Sequence, residues 1–134
     1  MPAVRAVDLR VGMVVREDDG TIRRVESREL LPPVTVHLMI ALTLRELDTG
    51  MVRWIVRPLT AAMELIALPE GEVECLYLTD SGCVLFDPAS VEQYDTPSWV
   101  GIGLQEGLRT GQRLLAGFWR GCPVTLRPAG VELS

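Results

Sequence analysis

Turn signals recur along this chain too closely to leave room for a long helix. Asp19-Gly20, Asp48-Thr49-Gly50 and Asp80-Ser81-Gly82 each stand between short runs rich in Val, Ile and Leu. Asp-Gly and related turns supply the positive φ of a tight hairpin, so each reads as strand, turn, strand. Residues 11–16 and 21–29 flank the first turn, with Ile22 and Val25 pointing inward. Residues 30–33 form a break, because Pro32 and Pro33 cannot donate to a ladder. Residues 34–44 are predicted as a long strand rich in β-branched side chains, and residues 51–56 as the next. Strand after strand with short turns implies a small barrel.

The second half repeats the pattern. Residues 58–72 are predicted as a joint, which divides the chain into a first domain, 1–66, and a second, 67–134. Residues 59–68 lie between Pro58 and Pro69 and read either as a short helix or as an apolar strand; periodicity does not decide at this length. Residues 74–78 and 83–87 pair across Asp80-Ser81-Gly82. Residues 97–108 are predicted as a short helix capped by Thr96 or Ser98, ending near Gly107. Residues 112–119 form a strand, 121–123 a turn or bulge, and 124–126 a last strand. The expectation is a mainly β protein with helix well below a third of its residues.

The net charge is −5 and is unevenly placed. Residues 1–66 hold nine Arg and nine Asp or Glu, whereas residues 67–134 hold four Arg and nine acids. A general polyanion binder is excluded, yet arginines of the balanced first half can still fork onto phosphate and stack on bases. Cys75, Cys83 and Cys122 form no C-x-x-C pair, so a disulfide framework and a zinc site are not expected and small buried thiols are. The longest apolar run, residues 36–42, is interrupted by His37 and too short to cross a bilayer. Arg5, Asp8 and Arg10 break any secretory apolar segment, so the expected compartment is the cytoplasm.

Several stretches, in order and spacing, resemble elongation factor P. Asp8-Leu9-Arg10-Val11-Gly12 is similar to the family's opening D-[FL]-[RK]-x-G, and Leu44-Arg45-Glu46-Leu47-Asp48-Thr49-Gly50 to its L-R-x-L-x-T-G. Tyr77-Leu78-Thr79-Asp80-Ser81-Gly82 is similar to Y-L-Y-x-D-G, Trp119-Arg120-Gly121-Cys122-Pro123-Val124 to W-x-G-x-P-I, and Val131-Glu132-Leu133 to the closing V-E-L. The implied fold is an SH3-like barrel of KOW type followed by an OB-fold barrel. The implied activity is contact with tRNA or the ribosome through a hairpin tip, Pro32-Pro33-Val34-Thr35-Val36-His37. Here Pro33 falls on the family's tip proline and Thr35 on its modified lysine. The chain contains no lysine, and Val34 and Val36 replace the tip glycines, so no lysyl, hypusinyl or rhamnosyl adduct is expected there. In the family, basic residues of the first domain meet the tRNA acceptor arm. Arg45 matches such a position, and Arg23, Arg24, Arg28 and Arg53 lie on the same strands. The alternative for all five is a solvated strand face.

No catalytic set, metal site or cofactor is expected. Were the chain an enzyme, His37 and Thr35 beside the tip would be its candidates, against the simpler readings of a structural histidine and a strand threonine. Trp54, Trp99 and Trp119 are read as core or inter-domain packing, and Glu70, Glu72 and Glu74 as a solvated sheet edge. Leu30, Leu31, Pro32, Pro33, Val34 and Val36 make the tip apolar, and Leu31, Val34 and Val36 are expected to be covered. Three roles remain: an RNA-, tRNA- or ribosome-contacting module; a repurposed barrel that binds or converts a small apolar molecule; and a homodimer formed through the tip.

Overall fold

A computed structural model of the protein describes residues 2–32, 38–104 and 107–129. Of these, 58 % lie in strands and 6 % in helical turns, so the mainly β expectation holds. The chain divides into two compact units, residues 1–67 and 68–134.

The first unit is one antiparallel sheet. Its strands are β1 (Ala3–Arg5), β2 (Val14–Arg16), β3 (Ile22–Leu30), β4 (Met39–Glu46), β5 (Val52–Pro58) and β6 (Ala62–Leu65), in the order β1-β6-β2-β3-β4-β5. Four strands run as a meander from β2 to β5, and the last returns beside β2, which is the strand order of an SH3-like barrel. Alternation directs Val15, Val25, Leu42 and Leu44 inward, where with Leu9 and Ile40 they lose all exposure. Fully burying each contributes roughly 1.5–3 kcal/mol. Gly20 takes the positive φ (85°) that Asp19-Gly20 promises. The Asp19 carboxylate accepts the Thr21 N–H at 2.9 Å, and this bond lowers the Asp19 pKa.

The second unit has β7 (Glu70–Thr79), β8 (Gly82–Asp87), β9 (Glu92–Pro97), β10 (Arg113–Trp119) and β11 (Cys122–Pro128), in the order β11-β10-β7-β8-β9. A three-strand meander, followed by a strand that returns to the first strand's other side, is the strand order of an OB-fold. Val73, Cys75, Cys83, Leu85, Val100, Leu114 and Ala116 form its core, with Tyr94, Trp99 and Phe118 packed at its margin.

Several expectations need correction. Residues 59–68 resolve to a strand, because Ala62–Leu65 pairs with β1 and with β2. Of the helix expected over 97–108, only one 3₁₀ turn, Ser98–Gly101, with no side-chain cap, is found among the described residues. Thr96 belongs instead to β9, where its hydroxyl donates to the Cys83 carbonyl at 2.9 Å. β1 and β9 carry no strand signal in the sequence: β9 (Glu-Gln-Tyr-Asp-Thr-Pro) has almost no apolar alternation and is an edge strand that pairs only with β8 among the described residues. The first predicted strand begins at Val14, after a turn at Gly12 with φ 96°.

Candidate nucleic-acid interface

Four of the five arginines singled out from the sequence, Arg23, Arg24, Arg28 and Arg45, are buried or half-buried in the first unit. Arg23, 7 % exposed, meets Glu17 at 2.6 Å and Asp19 at 3.8 Å. Arg57 approaches the same Glu17 at 3.8 Å. A second network forms at a bulge in β3, where Glu26 is the extra residue between Val25 and Ser27. Its nearly buried carboxylate takes two hydrogen bonds from Arg45, through Nε and, at 3.1 Å, through Nη2; Arg24 Nη1 lies at 3.9 Å. Arg24 is wholly buried, and that burial pushes its pKa down, while Glu26 pushes it up. Arg28 donates to the Val7 carbonyl at 2.7 Å and so ties the 3₁₀ turn Ala6–Asp8 to β3.

The segment Leu44–Gly50 is thereby explained as architecture. Leu44 and Leu47 are buried, and Arg45 Nη1 donates to the Gly50 carbonyl at 2.8 Å. The Thr49 hydroxyl accepts the Met51 N–H at 3.2 Å, and Gly50 takes φ 76°. Every side chain named here serves the turn.

Of the five arginines singled out in the sequence, Arg53 alone is exposed without an ion-pair partner among the described residues. It lies on β5, which pairs only with β4 and so forms one edge of the sheet. Beside it stands Trp54, 63 % exposed, which corrects the reading of this tryptophan as core. Met51 and Val52 are also exposed. Alternation sets Trp54 on the outer face, in register with Thr43 on β4, which is in turn opposite Ser27 on β3. Arg53 projects from the other side of the same strand. An indole face, two hydroxyls, free edge N–H groups and a guanidinium thus lie along one margin. The other tryptophans fit the packing reading better: both are half-buried, Trp99 against the second core and Trp119 beneath the Arg120 guanidinium at 5.4 Å.

The hairpin tip, Pro33, Val34, Thr35, Val36 and His37, lies outside the described residues. Its base does not: the Leu31 N–H donates to the Met39 carbonyl at 3.0 Å, Leu31 is half-buried, Pro32 is exposed, and Leu30 and Leu38 are 57 % and 52 % exposed.

In the second unit the reading of Glu70, Glu72 and Glu74 as a sheet edge is corrected. β7 is the central strand, between β10 and β8. Glu70 is gripped by Arg127 through two bonds of 2.9 and 3.0 Å, which hold its carboxyl below the usual range, and Glu72 pairs with Arg113 at 3.0 Å. Cys75 and Cys83 are buried as expected, but Cys122 is exposed. Among the described residues no three His, Cys, Asp or Glu gather as a metal site, and no helix is long and apolar enough to cross a membrane.

No family model matches the sequence. No curated protein matches it either. Solved structures of similar shape include eukaryotic translation initiation factor 5A from Methanococcus jannaschii, at TM-score 0.48 and 15 % identity over 95 % of this chain and 92 % of that one. Another is a translation initiation factor 5A family protein from Naegleria fowleri, at TM-score 0.48 and 13 % identity over 94 % and 95 %. Both bear the name of initiation factor 5A and not of elongation factor P; likeness at this level does not extend to function.

Proposed function

We propose that the protein is a translation-factor-like binding module that contacts RNA, whether tRNA or ribosomal, through the β5 margin of its first unit. The observation that carries this reading is Trp54, exposed on an edge strand with the exposed Arg53 next to it in sequence. An indole ring in water forgoes burial unless something stacks on it, and unpaired bases do so without regard to sequence. Arg53 supplies the phosphate contact, and the hydroxyls of Ser27 and Thr43 supply donors on the outer face. Arg23, Arg24, Arg28 and Arg45 build the margin and do not touch the ligand. A groove of about 490 Å³ in the first unit is bounded both by Arg16, Glu17, Asp18, Arg57 and Glu64 and by Ala3, Ala61, Ala62 and Met63.

The test is titration of the purified protein with a short unstructured RNA and with tRNA at low salt, read by tryptophan fluorescence and by gel shift. Trp54→Ala is expected to weaken binding by roughly 1–3 kcal/mol. Arg53→Ala is expected to reduce the slope of log affinity against log salt by about one. No association at low salt, where phosphate contacts are strongest, overturns the proposal.

A further inference from the structure

The second unit carries a groove of its own. It lies on the outer face of β7, β8, β9 and β10, measures about 390 Å³, and is bounded by Glu72, Glu74, Leu76, Phe86, Pro88 and Gln93, with Arg113 opposite Glu74 across the β7–β10 ladder. Register explains how it forms. Alternation after the buried Cys75 places Leu76 on the outer side, at a bulge between Cys75 and Tyr77, and Phe86 stands opposite Glu74 across the β7–β8 ladder. Leu76 and Phe86 are half-buried and make an apolar floor. Its carboxylates differ in their partners. Glu72 is engaged by Arg113, but Glu74 has no hydrogen-bond or ion-pair partner among the described residues, although it is half-buried. On the same sheet face Glu70 and Asp95 add negative charge.

We propose that this groove docks an extended segment of a protein partner bearing lysine or arginine side chains. The aliphatic stem of such a side chain lies over Leu76 and Phe86, and its charged head reaches Glu74. Charge complementarity selects the occupant. Residues 67–134 carry the chain's whole −5, and the outer face presents Glu70, Glu72, Glu74 and Asp95 against Arg113 and Arg127. Phosphate and anionic lipid are repelled by that field, whereas a cationic chain is drawn to it. A free carboxylate beside a half-buried aromatic ring fits an amphipathic cation better than a bare ion, because the ring and Leu76 give the stem somewhere to bury.

The experiment uses the full chain, isotopically labelled, titrated with a synthetic hexapeptide of alternating lysine and leucine and followed by amide shifts. Shifts centred on Leu76, Phe86 and Gln93 are expected. Glu74→Gln is expected to weaken binding fivefold or more, whereas Asp80→Asn, which removes the same charge from the exposed β7–β8 turn, changes it less than twofold. Phe86→Ala, with folding checked by circular dichroism, is expected to weaken binding without altering net charge. Shifts spread over all the acidic residues, equal effects of Glu74→Gln and Asp80→Asn, or no binding at low salt overturns the proposal.

Discussion

At Cys75 a single side chain shows how burial decides chemistry. Its thiol sits in the second core at zero exposure, and burial, reinforced by the neighbouring Cys83, pushes its pKa up to about 11. It is inert where Cys122, exposed at the start of β11, is not. A thiol-reactive chromophore is therefore expected to modify one cysteine in the native protein near neutral pH and all three after denaturation. The same shift couples stability to pH. The native state holds its proton where the unfolded chain, with the ordinary thiol value of 9.0, releases it. The contribution is complete below about pH 9 and is lost as pH rises through about pH 11. Urea midpoints measured across that window are expected to fall, and to fall less in Cys75→Val. At the same scale Trp54 and Arg53, neighbours in sequence, owe their availability to a strand that pairs only with β4 among the described residues.

Among elements, β3 shows what a bulge can do. Its extra residue, Glu26, brings one carboxylate to Arg24 and Arg45 on adjacent strands and links β3 to the Asp48-Thr49-Gly50 turn through Arg45. Removing the charge leaves two guanidinium groups, one of them wholly buried, with less compensation. Glu26→Gln is expected to cost about 3–5 kcal/mol, the usual loss when a buried ion pair is broken from one side, read by denaturant unfolding. The β8–β9 turn holds the opposite case. Val91 is 75 % exposed and adopts φ 58°, a left-handed conformation that a β-branched side chain resists. Val91→Asn is expected to stabilise the protein by about 1 kcal/mol, seen as a rise in Tm, because asparagine tolerates that region. An unchanged Tm would show that the turn relaxes without penalty.

Across the whole molecule, charge and chemistry divide between the units. The first balances its arginines against its acids and holds Arg23, Arg24 and Arg45 in internal networks, while Arg53 stays exposed next to the exposed Trp54. The second carries the net −5 and turns an acidic, apolar-floored groove to solvent. RNA binding is therefore expected to protect amides within residues 1–67, around β5, and to leave residues 68–134 unprotected in a hydrogen-exchange footprint. Protection centred on the second unit would reverse the proposed roles of the two.

The mainly β fold was legible in the chain itself, because hairpin turns are local. Asp19-Gly20, Asp48-Thr49-Gly50 and Asp80-Ser81-Gly82 carry their geometry within three or four residues, and Val25 lies in the core as expected, whereas Ile22, three residues away, falls on the other face of β3 and outside that core. Even so, Gly82 has a role no local pattern states. A Cβ there would come within 1.9 Å of the Thr96 carbonyl oxygen, so its smallness serves the approach of β9 rather than the turn. The interface was less legible. Arg23, Arg24, Arg45 and Arg53 are equivalent as letters; pairing between distant strands buries the first three to differing depths and leaves the fourth exposed. Tryptophan is usually core, and only the strand order, which gives β5 a single neighbour among the described residues, puts Trp54 in water. Sequence by itself determined where the chain turns and which side of each strand is apolar, because those depend on neighbours along the backbone. Tertiary structure alone decided which strand is an edge, which charges are already paired and which face stays open, because those depend on residues brought together from far apart in the chain.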